Sequence, residues 1–598
     1  MCGIFFSLSP APTPPTQETR VLLDNRGPDC CQTHTVYKEI PTPDGGIQSF
    51  HLTFISTVLA LRGDHVYSQP LIDPATKSVL CWNGEAWKIA GERVSGNDTE
   101  HILNLFLRAV TIGGGGDDDD DGNNAAYRLG QAAASISGPF AFVFYDATNL
   151  RLFFSRDCLG RRSLLQGYEE DGSLKICSVC DGSSSTHFQE VGFDGVYMID
   201  LKTSHDSSAT NGRYNIETLP WSSDSSPPAG HIKTPIPPMN LEVPSQQPPA
   251  LTLETPFVQE LESKLRQSLE LRINDVPEPP GYKQGHSAKI AVLFSGGLDC
   301  TLLARLSHDI LPLEETIDLL NVAFENPRVA AAAAASTNRH NLPASQPIST
   351  YEACPDRITG RSAYKELQQT CPGRKWRFIA IDIPYTETLA HRDLVKRLMR
   401  PHNTEMDLSI ACALYFASRG QGIIDDSHSD KNSPINTDTK TIYTTTARVL
   451  LSGLGADELF AGYGRHGVAF NRNGFPGLVS EIHLDVSRLG QRNLGRDDRI
   501  LSHWGRETRF PFLDEDFVAW VLRAPVWVKC GFGLASTVDD QHTGGSLAGI
   551  DAEKMALRLV ALRLGLRNVS REKKRAIQFG ARTAKMEKGR TKGTDALV

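Results

Sequence analysis

Between positions 289 and 307 the chain reads KIAVLFSGGLDCTLLARLS. The run KIAVLF is short and nearly unbroken in apolar character, as a strand covered on both faces must be. After it, Leu302, Leu303 and Leu306 recur at helical spacing. DLLNVAF, WRFIAIDI and ARVLLSG repeat the strand pattern, separated by helical or loop stretches. Strands alternating with helices predict a parallel sheet with helices on its faces, and few other folds accommodate that order. The first half reads differently. AFVFYD (141–146), the turn ATN and RLFFSRD (151–157) predict an antiparallel hairpin. The chain is therefore α/β throughout, with an antiparallel N-terminal half and a parallel C-terminal half.

The 598 residues allow about three or four domain-sized units, a count that long loops reduce. Four stretches lack the apolar content to offset their ordering entropy: GGGGDDDDDG (113–122), the Pro/Ser-rich 222–249, AAAAAAS (330–336) and the polar 425–440. The second marks the domain boundary, giving 2–205, a linker over 206–250, and 251–598. Hydrophobic residues make up 40% and charged residues 22%, as in a soluble globular protein. A net charge of −8 supplies no global basic field for nucleic acid or a membrane surface. The basic ending REKKRAIQFGARTAKMEKGRTKG reads as a solvated helix face and tail. Twelve cysteines in this length make no disulfide scaffold, and CSVC (Cys177, Cys180) has no second pair at zinc spacing. GIFFSLS lacks the basic flank of a signal peptide, and no run approaches the ~18 apolar residues of a membrane span. A reducing, cytoplasmic setting is expected.

The chemistry is most legible in SGGLD. Ser295, Gly296 and Gly297 sit between strand and helix, where backbone N–H groups can turn toward a phosphate and the helix start favours negative charge. The loop is not a Walker A sequence, which needs a lysine and a longer spacing. Asp299 stands where a Mg²⁺ ligand belongs beside a pyrophosphate, although an acid there also complements the helix dipole. ARVLLSGLGADELFAGYGRH repeats strand, glycine turn and helix, with Asp457 and Glu458 at the helix start. Two such loops, each offering an acid, can hold a nucleotide triphosphate through Mg²⁺. N-capping is the plain alternative for Asp457.

With MCGI, NRGPD (25–29), WNGE (82–85), GNDTE (96–100), GPFAFVFYD, RDCLGRRSLL, SGGLD, SGLGADELFAGY and ETRFPFLD in this order, the chain resembles the glutamine-dependent asparagine synthetases over nearly its whole length. CPDRITGR (354–361) and KRAIQFG (574–580) resemble a divergent branch of that family. The resemblance implies an N-terminal-nucleophile glutaminase domain of αββα layering and an ATP-pyrophosphatase domain built on a doubly wound parallel sheet. It makes Cys2 the nucleophile once Met1 is removed, since an α-amine of pKa ~8 can then act as the base for its own thiol. Asn83 and Gly84 would form the oxyanion hole. Arg62, Glu85 and Asp98 would bind glutamine, although Asn83-Gly84 also suits a hairpin turn and Asp98 a helix N-cap.

The resemblance further implies ATP and Mg²⁺. Leu293, Ser295, Gly296, Gly297, Val322, Ser452 and Gly453 would contact the nucleotide, and Asp299 and Asp457 would hold the metal. Lys574 would lie near the phosphate of an acyl-adenylate, unless it is an exposed tail lysine. The implied reaction passes ammonia from glutamine to an aspartate activated as its adenylate. Partners are then the small molecules glutamine, aspartate and ATP, with no nucleic acid, no membrane and scope for a homo-oligomer. Two residues depart from the family pattern. Cys300 replaces a serine that closes the phosphate loop, and a thiol is a weak donor. Leu454 replaces a glutamate in the second loop and can neither take a proton nor pair with ammonium. A glutaminase with an altered or inactive second site, acting on another carboxylate or as a scaffold, is therefore the rival reading.

Overall fold

Phe140–Asp146 is buried at every position, and alternation explains how an unbroken apolar strand is used. Ala141, Val143 and Tyr145 enter a core shared with Ile4, Phe6, Leu8, Leu52 and Phe54. Phe140, Phe142 and Phe144 enter a second core, with Ile102, Phe106 and Leu129 of helices Thr99–Thr111 and Gly122–Ala134. Side chains alternate faces along a strand, so this one strand serves a sheet–sheet layer on one side and a sheet–helix layer on the other.

A computed structural model describes residues 2–41, 46–111, 122–182, 188–203, 214–331, 349–425, 440–535, 549–586 and 592–597. The low-complexity positions 113–121, 332–336 and 426–439 lie outside them. The chain divides into two units. One comprises Met1–Pro238, Arg488–Arg506 and Asp514–Ala519, and the other comprises the remainder.

In the first unit, Gly3–Ser9 lies between Leu174–Cys177 and Ile47–Val58 in a six-stranded sheet. A seven-stranded sheet places Phe140–Asp146 between Arg151–Arg156 and Val79–Gly84. The expected hairpin is present, with Phe144 opposite Phe153 in antiparallel register. Part of the stretch expected as linker is strand instead. Glu217–Ser222 pairs antiparallel with Gly195–Asp200, and Ile232–Lys233 runs parallel beside it. Ile232 is buried against Gly130, where even one added methyl would meet it at 2.1 Å. Cys177 and Cys180 are buried. No group of three His, Cys, Asp or Glu side chains able to hold a metal occurs among the described residues. No helix there is long and apolar enough to cross a membrane.

Arg488–Arg506 joins this first unit through charge. Asp498 pairs with Arg26 at 2.8 Å and Arg162 at 3.5 Å, and Arg499 pairs with Glu190 at 2.9 Å. Arg161 of the RDCLGRR motif is shared between Asp157 and Glu515. Burial pushes the Asp498 carboxyl up, but the two guanidiniums overcome this and hold it below the usual carboxylate range. Its stabilising contribution is thus present above the unfolded value of about 3.9 and lost as pH falls through the lower folded value. Asp498→Ala deprives two buried cations of this carboxylate and is expected to cost about 3–5 kcal/mol. A urea-unfolding midpoint at pH 7 unchanged by the substitution would show that these pairs do not anchor the segment.

The second unit is built on the predicted parallel sheet. Trp376–Ile383, Thr316–Phe324, Ala288–Leu293, Val449–Leu451 and Glu507–Arg509 lie side by side in that order, all parallel. Gln421–Asp425 and Lys440–Thr444 extend one edge antiparallel. The order matters for function. The sheet grows outward from the Ala288 strand in one direction, and then Val449–Leu451 returns to its other side. Loops leaving those two strands diverge, and such a switch point opens a crevice at the carboxyl ends of the strands. Glu507 and Arg509 form a buried ion pair with a 2.6 Å contact.

Candidate functional site

Each unit gathers one set of the expected residues. In the first, Gly3–Ser9 is fixed from its first turn of backbone. Thr57 Oγ1 accepts from Gly3 N at 3.0 Å, and Ser178 Oγ accepts from Ile4 N at 3.0 Å. Arg26 Nε donates to the Cys2 carbonyl at 3.3 Å. The Cys2 thiol is thereby held at the strand's start, nearly buried, with Gln69 Nε2 3.9 Å from its sulfur. The same Gln69 accepts from Trp82 N at 2.8 Å. Gln69 thus ties the thiol to the strand that ends in Asn83-Gly84. No motif in the sequence marked it.

Asn83 is fully buried, and neither its amide nitrogen nor its amide oxygen has a hydrogen-bond partner among the described residues. Leaving a buried donor or acceptor unpaired costs about 1–3 kcal/mol each. Gly84 is needed for packing, because an added Cβ would lie 2.7 Å from Phe140 Cβ and 2.8 Å from Pro139 O. The pair is strand rather than hairpin turn, since Asn83 and Gly84 are in register with Ala141 and Phe140.

Asp98, Arg62 and Glu85 converge around Ala86. Asp98 Oδ2 accepts from Ala86 N at 2.7 Å and Trp82 Nε1 at 3.1 Å, so this oxygen is spent on the neighbouring loop. Burial raises the Asp98 carboxyl, with Arg62 acting in the opposite sense. Arg62 donates to the carbonyls of Ala86 and Val94 at 2.7 and 2.6 Å, and its Nε lies 3.8 Å from Glu85.

In the second unit, a cavity of about 180 Å³ opens at the switch point. Ser295, Gly297, Asp299 and Cys300 line it from the first loop, and Ser452 and Gly453 from the second. Leu293 and Val322 line it as well. Gly296 has φ +81°, and its Cα packs so closely on Gly360 that a Cβ would lie 2.5 Å from that backbone. The Cys300 thiol turns back on its own loop, donating to Gly297 O at 3.4 Å.

The two acids meet, but through a residue the sequence reading missed. Lys554 Nζ lies 2.6 Å from Asp299 and 2.7 Å from Asp457. Burial lowers this ammonium, yet the two carboxylates overcome that and keep it protonated above the ordinary lysine range. Burial likewise raises Asp457, and Lys554 with Lys574 holds it below the carboxylate range. Lys574 is no tail residue, since its Nζ lies 3.8 Å from Asp457 and 4.4 Å from the Tyr463 ring centre. Lys554 has φ +55° and precedes helix Met555–Arg563. No motif in the sequence flagged it, because Asp299 and Asp457 are distant along the chain. Glu458 is committed to a neighbour, accepting from Tyr463 O–H at 2.6 Å.

The chain is mixed α/β, and residues 476–587 match the asparagine synthase family model, which puts it in the asparagine synthase class. The human protein named asparagine synthetase domain-containing protein 1 is 31% identical, with 92% of this chain and 90% of that one aligned. An asparagine synthetase domain-containing protein of Saccharomyces cerevisiae is 30% identical, over 92% of this chain and 87% of its own. A putative glutamine-hydrolysing asparagine synthetase of Methanocaldococcus jannaschii is 45% identical over 14% of this chain and 15% of its own. The chain belongs to the family of asparagine synthetase domain-containing proteins.

Proposed function

We propose that the chain is a glutamine-hydrolysing amidotransferase with two chemistries. The first unit would be an N-terminal-nucleophile glutaminase and the second an ATP-pyrophosphatase domain that adenylates a carboxylate. The observation that carries this reading is the buried, unpartnered Asn83 amide on the strand that Gln69 ties to the Cys2 thiol. An orphan donor of this kind is tolerated where a developing oxyanion will pair with it.

With Met1 removed, the α-amine of Cys2 takes the thiol proton. The thiolate attacks the side-chain amide carbon of glutamine, and the carbonyl oxygen becomes the oxyanion facing Asn83 and Gly84. The C–N bond then breaks, nitrogen leaves as ammonia with the proton returned from the amine, and water cleaves the resulting thioester to glutamate. Arg62, Glu85 and Asp98 would hold the α-carboxylate and α-amine of glutamine.

In the second unit the nucleotide would place its phosphates on Ser295–Gly297 and Ser452–Gly453. Asp299 Oδ1 is buried without a hydrogen-bond partner among the described residues, and with Asp457 on the other side of Lys554 it would offer a carboxylate oxygen to a divalent cation. Such an ion would neutralise phosphate charge. Lys554 and Lys574 supply the protein's own positive charge there. Aspartate is the acceptor the family suggests. Leu454, with Glu458 turned to Tyr463, favours slow asparagine formation or a different carboxylate.

The test is the purified full chain with glutamine, ATP-Mg²⁺ and a panel of carboxylates, following glutamate and pyrophosphate separately. Glutamate release with carboxylate-dependent pyrophosphate release is expected, and neither appearing would overturn the proposal. Asp299→Asn and Asp457→Asn should each weaken Mg²⁺-ATP binding by about 10–100-fold, since even an indirect metal partner contributes on that scale. Calorimetry showing unchanged affinity in both would reduce the two acids to helix-terminal charges.

A further inference from the structure

The CPDRITGR motif has no place in the chemistry so far, yet the structure puts its Asp356 on the wall of the second-unit cavity. Asp356 is 7% exposed. Its backbone carbonyl accepts from Asn321 Nδ2 at 2.9 Å, but its carboxyl has no hydrogen-bond partner among the described residues. Gly580 of the KRAIQFG motif packs so tightly on that carboxyl that a Cβ there would lie 2.0 Å from Oδ1. Cys354 Sγ donates to the carbonyl of the same Gly580 at 2.9 Å, and Arg575 donates to Thr359 at 2.8 Å. The two motifs are thus one assembly, and it delivers a buried, unspent carboxylate to the cavity.

The lining of the cavity says what that carboxylate can meet. Ser295, Gly297, Ser452 and Gly453 supply polar groups beside the Asp299–Lys554–Asp457 cluster, and Leu320, Val322, Leu414, Ala417 and Ile577 supply apolar ones. Asp356 belongs to the same wall. Asn321, which holds its backbone, lies between Leu320 and Val322, and the next turn of its helix, at Thr359–Gly360, packs on Gly296 of the phosphate loop. A nucleotide with its phosphates on Gly296 has its sugar within about one helical turn, ~5.4 Å, of Gly360 and so within reach of Asp356, and a sugar offers hydroxyl donors to a carboxylate.

We propose that Asp356 accepts a hydrogen bond from a ribose hydroxyl of the bound nucleotide and so makes the second site selective for ribonucleotides. The inference rests on the nucleotide reading of that cavity. Burial raises the Asp356 carboxyl to about 7, with Arg575 opposing and Glu572 reinforcing, as fits a group whose partner arrives with the ligand.

The experiment is calorimetry on the full chain with Mg²⁺ and, in turn, ATP, 2′-deoxy-ATP, 3′-deoxy-ATP and inosine triphosphate, repeated with Asp356→Asn and Asp356→Ala. The unmodified protein should bind ATP roughly 10- to 100-fold more tightly than at least one deoxy analogue, the scale of a hydrogen bond to a charged acceptor. Both variants should shrink that ratio while leaving the affinity for the rejected analogue within a few-fold. Equal binding of ATP and both deoxy analogues by the unmodified protein overturns the proposal without any variant having to fold. Discrimination against inosine triphosphate alone would assign Asp356 to the base and also overturn it. Loss of all ligands equally in both variants would mark a structural residue. Binding of none of the four by the unmodified protein would overturn the nucleotide reading itself, which separates that failure from the others.

Discussion

Cys2→Ala will abolish glutamate release from glutamine while leaving ATP chemistry supplied with free ammonia intact. The substitution removes one sulfur atom from a nearly buried position whose carbonyl is held by Arg26 and whose neighbours Gly3 and Ile4 are held by Thr57 and Ser178, all through backbone groups that alanine leaves in place. The fold should therefore survive, at a cost of about 1 kcal/mol for the small cavity. The activity should not survive. Without the thiol, water must attack an unactivated amide directly, and removing a catalytic nucleophile lowers kcat by on the order of 10³-fold or more. Cys2→Ser is the sharper control, because it keeps a hydroxyl near Gln69 but not the easily ionised group. Intact-mass measurement should place Cys2 at the mature N-terminus with an unmodified amine. Retention of Met1, or glutamate release by Cys2→Ala at the unmodified rate, would overturn the glutaminase assignment.

The sequence showed the parallel sheet because KIAVLF, DLLNVAF, WRFIAIDI and ARVLLSG are dense apolar runs, whereas the edge strand Glu507–Arg509 carries no such signal. It showed the phosphate-type loops because glycine between strand and helix has few other uses. The Asp498 and Arg499 pairs were not legible. Burying charged side chains leaves no hydrophobic period, so RNLGRDDRI reads as a surface stretch until Arg26, Arg162 and Glu190 are seen around it. Residues 488–506 and 514–519 lie within the span 251–598 on the sequence yet belong to the first unit for that reason. Lys554 escaped on similar grounds: its partners Asp299 and Asp457 are distant in sequence, and one lysine before a helix carries no pattern. Gln69 was hidden because its role depends on bridging two strands that only the fold brings together. Lys574, a candidate through resemblance alone, lies beside Asp457 and Tyr463.

Glutamate will form faster than asparagine in the unmodified protein, and Leu454→Glu will narrow the difference. When ammonia attacks an acyl-adenylate, positive charge grows on nitrogen and must be relieved as the tetrahedral centre forms. A positioned carboxylate typically contributes about 10²–10⁴-fold at such a step. At position 454 the chain has leucine, anchored by its backbone N–H donating to Ser452 Oγ at 3.3 Å. The next residue, Gly455, has φ +100° and packs against Leu513, so that stretch of loop has no room for a compensating side chain. Glu458, the nearest acid beyond Asp457, is buried and committed to the Tyr463 hydroxyl, and burial raises its carboxyl. Asp457 is itself held ionised by two lysines and is poorly suited to take a proton. Amino-acid analysis with aspartate, glutamine and ATP-Mg²⁺ at saturation should therefore find glutamate in large excess over asparagine. Leu454→Glu should raise asparagine output without changing glutamate release, because the substitution lies outside the Cys2 unit. Asparagine appearing one-for-one with glutamate in the unmodified protein would overturn this account and make the chain a full asparagine synthetase. If Leu454→Glu leaves asparagine low while another carboxylate drives pyrophosphate release, the leucine belongs to a site built for that other acceptor.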